Sequence, residues 1–130
     1  MSDRLHVPTS SPFAKVIGYS RAVRVGNHVF VSGTAALDDD GRVMHPGDPF
    51  LQAQRCCEII IRALRDAGSA PEHVVRTRMY VCDATDWTEV GMAHDEAFGR
   101  ARPATTLVEV TGFIAPQILV EIEAEAIVPV

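Results

Sequence analysis

The chain has little to spend on several kinds of chemistry. Among its 130 residues Lys15 is the only lysine, and the other eleven basic side chains are arginines. Seventeen acidic groups against twelve basic ones leave a net charge of −5 and a pI near 5.4. That balance argues against a protein whose main work is neutralising phosphates. Aromatic residues make up 6% of the chain, too few to build a base-stacking platform around Tyr80 and Trp87. Three cysteines, Cys56, Cys57 and Cys82, form no metal-ligand spacing. Adjacent Cys56 and Cys57 would point about 100° apart on a helix, which disfavours a disulfide and fits buried thiols in a reducing compartment. No apolar run approaches the ~20 residues of a membrane span, and Met1 to Pro12 lacks the apolar core of a signal peptide. A cytoplasmic protein that engages neither membrane nor nucleic acid is the expectation. Neither GxGxxG nor GxxxxGK occurs, so no phosphate loop is expected. The five histidines, at 6, 28, 45, 73 and 94, form no HxH or HxxxH pair, and no zinc site is expected.

What is present is an ordinary globular composition, 47% hydrophobic and 22% charged, at a length that suits one domain over residues 1–130. Residues 1–20, rich in Ser, Pro and Gly, read as a lead-in loop. Arg21–Val25 and His28–Thr34 are β-rich runs joined by Gly26-Asn27, a turn pair that tolerates positive φ. Asp38-Asp39-Asp40-Gly41 reads as a solvated turn, because a calcium loop needs spaced acidic residues and a closing glutamate.

The clearest helix starts after Asp48, a good N-cap, with Pro49 in its first position, and stops at Gly68. Ala53, Cys57, Ile60, Leu64 and Ala67 form its apolar stripe, widened by Cys56, Ile59 and Ala63. Residues 74–82 alternate as a strand, with Val75, Thr77, Met79 and Val81 on one face and Arg76, Arg78 and Tyr80 on the other. Asp86-Trp87-Thr88-Glu89 resembles a capping box opening a helix to about Phe98, with His94 on its face. Thr105–Val110 and Ile118–Val128 complete a β-β-α-β-α-β-β order. Two helices cover only one face of such a sheet, so the other face, with Phe30 and Tyr80, must meet water, a ligand or another subunit, and an oligomer is the expectation.

The last strand places Glu121, Glu123 and Glu125 at every second position, all facing one way. Either they form an ion-pair ladder with Arg76 and Arg78, or one of them turns into a cleft to position water. Spacing does not choose between them. Ser32-Gly33-Thr34, at the end of the hairpin's second strand, combines a hydroxyl with a residue that permits close approach.

Several segments together resemble the YjgF/RidA (reactive-intermediate deaminase) family, also labelled endoribonuclease L-PSP: Gly18-Tyr19-Ser20, VGNHVFVSGTAAL at 25–37 and DPFLQAQ at 48–54. ALRDAGSAPEHVVRTRMYV at 63–81, HDEAFGRARPATTLVEV at 94–110 and LVEIEAEAIV at 119–128 continue the match in order. The resemblance implies an α+β, chorismate-mutase-like domain with a mixed sheet, two helices on one face and the sheets packed together in a homotrimer. It implies a cofactor-free hydrolase of imines or enamines, working on small molecules in clefts between subunits. Carried onto this chain, the water-positioning glutamate is Glu121, and Tyr19, Ser32 and Gly33 line the cleft. The family's carboxylate-clamping arginine follows a Pro-Ala pair. Here Pro103-Ala104 is followed by Thr105 and Thr106, which would bind substrate as hydroxyls only. Loss of a charge-assisted pair costs ~1.5–3 kcal/mol, at least tenfold in binding. The expected substrate is therefore less acidic than a 2-imino acid, unless Arg78, Arg100 or Arg102 replaces the clamp. The alternatives are a non-catalytic trimer that binds a metabolite or partner and, less favoured by the acidic balance, a ribonuclease or translation inhibitor.

Overall fold

The computed structural model describes residues 4–130. It has six strands, β1 (Arg4–Val7), β2 (Ala22–Val25), β3 (His28–Ala35), β4 (Val74–Val81), β5 (Ala104–Glu109) and β6 (Val120–Ile127), and three helices, α1 (Ala14–Ile17), α2 (Pro49–Asp66) and α3 (Trp87–Phe98). The strands form one mixed sheet in the order β1-β2-β3-β6-β4-β5, antiparallel except for the β4–β5 pair.

Hydrophobic alternation explains why the layers form. On β6, Val120, Ile122, Ala124 and Ala126 are buried, while Glu121, Glu123 and Glu125 between them are half-exposed on the opposite face. The buried set meets the apolar stripe of α2, where Ala53, Cys56, Cys57, Ile60, Ala63 and Leu64 have lost nearly all contact with water. Each large aliphatic side chain buried this way contributes about 1.5–3 kcal/mol. The Asp48 carboxylate accepts from Leu51 N–H at 3.0 Å, and Pro49 occupies the first turn, as the sequence predicts. Fully buried Gln52 ties α2 to the last strand: its amide donates to the carbonyls of His45 and Gln117 and accepts from Leu119 N–H at 2.9 Å.

The hairpin forms about Gly26, whose φ of 61° requires a residue without Cβ strain. Four expectations need correction. The segment read as a lead-in loop contains β1 and the single turn α1; β1 has one buried residue, Val7, and α1 has none, so neither carries a periodicity strong enough to read. Val75 is exposed and Val74 buried, because a register shift between Val74 and Arg76 turns the strand over at its start. Asp86 does not cap α3 with its side chain; the carboxylate of Asp83 instead caps a short 3-10 turn over Ala84–Asp86 by accepting from Thr85 N–H. Ile59 stays only half-buried, at the margin of the α2 stripe, where it borders a cavity.

Candidate functional site

The three in-line glutamates differ in their surroundings. Glu125 takes Arg78, whose guanidinium donates at 3.3 Å. Glu123 accepts a short hydrogen bond from the hydroxyl of Tyr80, which raises the tyrosine's pKa. Glu121 has no hydrogen bond or ion pair among the described residues, although Tyr80 is its register partner on β4. Burial pushes the Glu121 carboxyl up from its ordinary range; Arg21 pulls it down, and Glu123 raises it again. The three in-line carboxylates thus resolve into two with side-chain partners and one, Glu121, without a hydrogen bond or ion pair among the described residues.

The β3 backbone opposite Glu121 is shaped to receive it. Pairing of β3 with β6 runs from Val31↔Ala124 to Thr34↔Ile122, so Ser32 and Gly33 together oppose Glu123 in a β-bulge. A Cβ on Gly33 would collide with Oε1 of Glu121, so glycine here leaves the room the carboxylate occupies and does not serve a left-handed backbone. Ser32 donates its hydroxyl to the Ser20 carbonyl at 2.7 Å. Tyr19 donates its hydroxyl to Ser11 at 3.0 Å, and its ring lies beneath the Arg21 guanidinium, 5.6 Å from the centroid. Tyr19, Arg21, Ser32, Gly33 and Glu121 all line one cavity of about 720 Å³, with apolar wall residues including Phe13, Ile59 and Ile114.

Thr105 and Thr106 lie elsewhere in the chain, on β5 at the far edge of the sheet, and do not line that cavity. The Thr105 hydroxyl donates to the Pro103 carbonyl at 3.2 Å and shares a 2.8 Å hydrogen bond with Thr77. Thr77 in turn meets Nε2 of His94 at 2.7 Å. Desolvation lowers the His94 pKa, keeping the ring neutral. Arg78 is committed to Glu125, and neither Arg100 nor Arg102 lines the cavity.

The residue missed from sequence is Arg21. The hairpin register held a usable signal, since continuing Ala22↔Val31 by one step sets Arg21 opposite Ser32. Among the described residues no three His, Cys, Asp or Glu side chains gather to hold a metal. Burial raises the Cys56 thiol and pushes that of Cys57 up to about 12, so both are inert core groups.

A mixed sheet with its helices on one face, and a carboxylate set beside a β-bulge in the wall of a cavity, defines a small single-sheet α+β protein. The family profile described as Endoribonuclease L-PSP matches residues 9–128. An uncharacterized protein of Streptomyces coelicolor is 38% identical over 120 residues, covering 92% of this chain and 89% of the relative. The 3-aminoacrylate deaminase RutC of Acinetobacter baylyi is 30% identical over 126 residues, covering 97% and 98%. A solved Mycobacterium tuberculosis structure, described as a member of the YjgF/YER057c/UK114 family, superposes with a TM-score of 0.87 at 46% identity, covering 97% of this chain and all of that one. The chain belongs to the YjgF/RidA family.

Proposed function

We propose that this protein is a cofactor-free hydrolase of an imine, enamine or related C–N bond, acting in clefts between the subunits of a homotrimer. The observation that carries it is Glu121: alone among the three in-line glutamates it lacks a hydrogen-bond or ion-pair partner among the described residues, is desolvated, and rests against the Ser32-Gly33 bulge in the wall of a cavity. A water held by Glu121 attacks the C=N carbon; as the C–O bond forms, the carboxylate takes the water's proton. That proton returns to nitrogen, and a further proton shift within the carbinolamine lets the C–N bond break, leaving C=O and ammonia. Ser32, Gly33 and Tyr19 shape the wall. A deaminase among the relatives, whose named substrate carries an amino group on a carbon–carbon double bond, supports C–N cleavage.

Thr105 and Thr106 face the cleft of the neighbouring subunit in this proposal, with the open sheet faces, including Phe30 and Tyr80, packed inside the trimer. The Thr105 hydroxyl, committed to Pro103 and Thr77, offers a carboxylate neither charge nor a free donor. The substrate is therefore neutral or cationic, an imine or enamine before an amide or carbamate. The same commitment of Thr105 favours a second reading, a trimer that binds a metabolite without turning it over.

The test is ammonia release from 2-imino acids generated in place and from a panel of neutral imines, with wild type, Thr105→Arg and Glu121→Gln side by side. The hydrolase proposal expects turnover of neutral imines by wild type, of 2-imino acids by Thr105→Arg, and of neither by Glu121→Gln. Ligand binding without turnover in every arm favours the binding module.

A further inference from the structure

We infer that Arg21 is a positioning residue of this site: its guanidinium fixes the bulge against which the Glu121 carboxylate rests and supplies, on the same chain, the positive charge that faces that carboxylate. The inference rests on Glu121 as the site's working group.

The geometry is specific. Arg21 is 8% exposed, an unusual state for a cation with no contacting carboxylate among the described residues. One guanidinium nitrogen donates to Gly33 O at 2.9 Å and to Thr34 Oγ1 at 3.0 Å, and the other donates to Thr9 Oγ1 at 3.1 Å. Its own backbone adds two bonds: Arg21 N–H to Val7 O at 2.8 Å and Ser32 N–H to Arg21 O at 2.9 Å. The planar fork therefore clamps the Thr9 segment to the bulge of β3, a task a lysine cannot copy, while the Arg21 main chain ties both to β1. Gly33 is both the residue whose carbonyl is clamped and the one that leaves room for the Glu121 carboxylate. Moving the guanidinium moves the surface on which Glu121 sits.

Charge completes the case. All three hydrogen-bond partners of the guanidinium are neutral and the Tyr19 ring lies against it, so its charge is not cancelled by a contacting carboxylate and acts through space on Glu121. Other groups face the carboxylate as well: Glu123 on β6, Tyr80 on β4 and Cys56 on α2. Asp38 and Asp39 after β3, and Arg55, Glu58, Arg62 and Asp66 on α2, ring the wider cavity. Arg55 is held by Glu58 and the Leu37 carbonyl, and Arg62 is exposed to solvent screening. Of these, Arg21 is the buried cation and the one whose field opposes desolvation at Glu121.

The experiment is an NMR titration of the Glu121 carboxyl carbon in wild type and in Arg21→Gln, with the pH profile of turnover in the same proteins. Glutamine keeps a polar amide at this position but carries no charge. The expected result is a Glu121 midpoint displaced to higher pH in Arg21→Gln, with the acid limb of kcat/KM displaced the same way. A folded Arg21→Gln whose midpoint matches wild type overturns the inference and leaves Arg21 a purely structural clamp. If Arg21→Gln does not fold, Arg21→Lys decides: the charge stays and the fork is lost, so kcat falls about tenfold or more with KM little changed. An unchanged kcat there overturns the inference. The titration needs no turnover, so inactive wild type would sink the hydrolase proposal while the midpoint still judges Arg21.

Discussion

Ionised Glu121 works against stability, because burial disfavours its charged form. Its folded pKa lies above the ordinary value near 4.5, so between those two values the folded state binds more protons than the unfolded chain. Stability contributed by the protonated form is present at low pH and lost as pH rises through that window. Glu121→Gln removes the penalty: calorimetric scans should show its Tm advantage over wild type growing from pH 4 to pH 7, while turnover is abolished. Gly33→Ala makes a complementary prediction. Its backbone does not lie in the left-handed region, and a flexible carboxylate is what the new methyl displaces. Stability should change by less than about 1 kcal/mol, while a shift of Glu121 by about 1 Å costs roughly 100-fold in kcat/KM. A fully active Gly33→Ala would show that the carboxylate's seat beside the bulge does not matter.

The elements hold these residues through a few buried polar ties as well as through the apolar core. Gln52 bonds the loops before α2 and before β6, and so sets where the last strand begins. Gln52→Ala leaves a buried backbone N–H and two carbonyls without their partner and is expected to cost about 2–4 kcal/mol, read as a lowered midpoint in urea unfolding. The α3–β4–β5 chain of His94, Thr77 and Thr105 behaves differently. Because desolvation depresses the His94 pKa below 6.5, the neutral ring's contribution is present above that pH and is lost as pH falls through the folded value. His94→Gln should flatten this acid-side slope in stability measured from pH 7 to pH 5. A wild-type slope retained in the variant would assign it to another group.

At the scale of the whole molecule, the sheet has one covered face and one open one. Phe30 remains 46% exposed on the open side, stacked on His28, among the half-exposed side chains of Arg78, Tyr80 and Glu125. A trimer that packs these faces together removes Phe30 from water. Phe30→Asp is therefore expected to shift the mass in analytical ultracentrifugation from three subunits to one, with loss of turnover if the clefts need two chains. A monomeric wild type would end the inter-subunit site. Among the described residues no helix is long and apolar enough to cross a membrane.

The sequence by itself determined the layers. Period-two alternation in β4 and β6, the Asp48-Pro49 start and apolar stripe of α2, and the Gly26-Asn27 hairpin are local patterns, and local backbone physics reads them directly. The short β1 and α1 escaped because they bury too little to leave a periodic trace. Tyr19, Ser32, Gly33 and Glu121 could be named from segment resemblance, yet nothing in the spacing separated Glu121 from Glu123 and Glu125. Only the tertiary structure did that, because the distinction depends on which cross-strand partner each carboxylate meets: Arg78 for one, Tyr80 for another, and for Glu121 a glycine bulge and the field of a buried arginine. Charge, desolvation and the space left by a missing Cβ are properties of neighbours distant in sequence, and they exist only once the strands are paired.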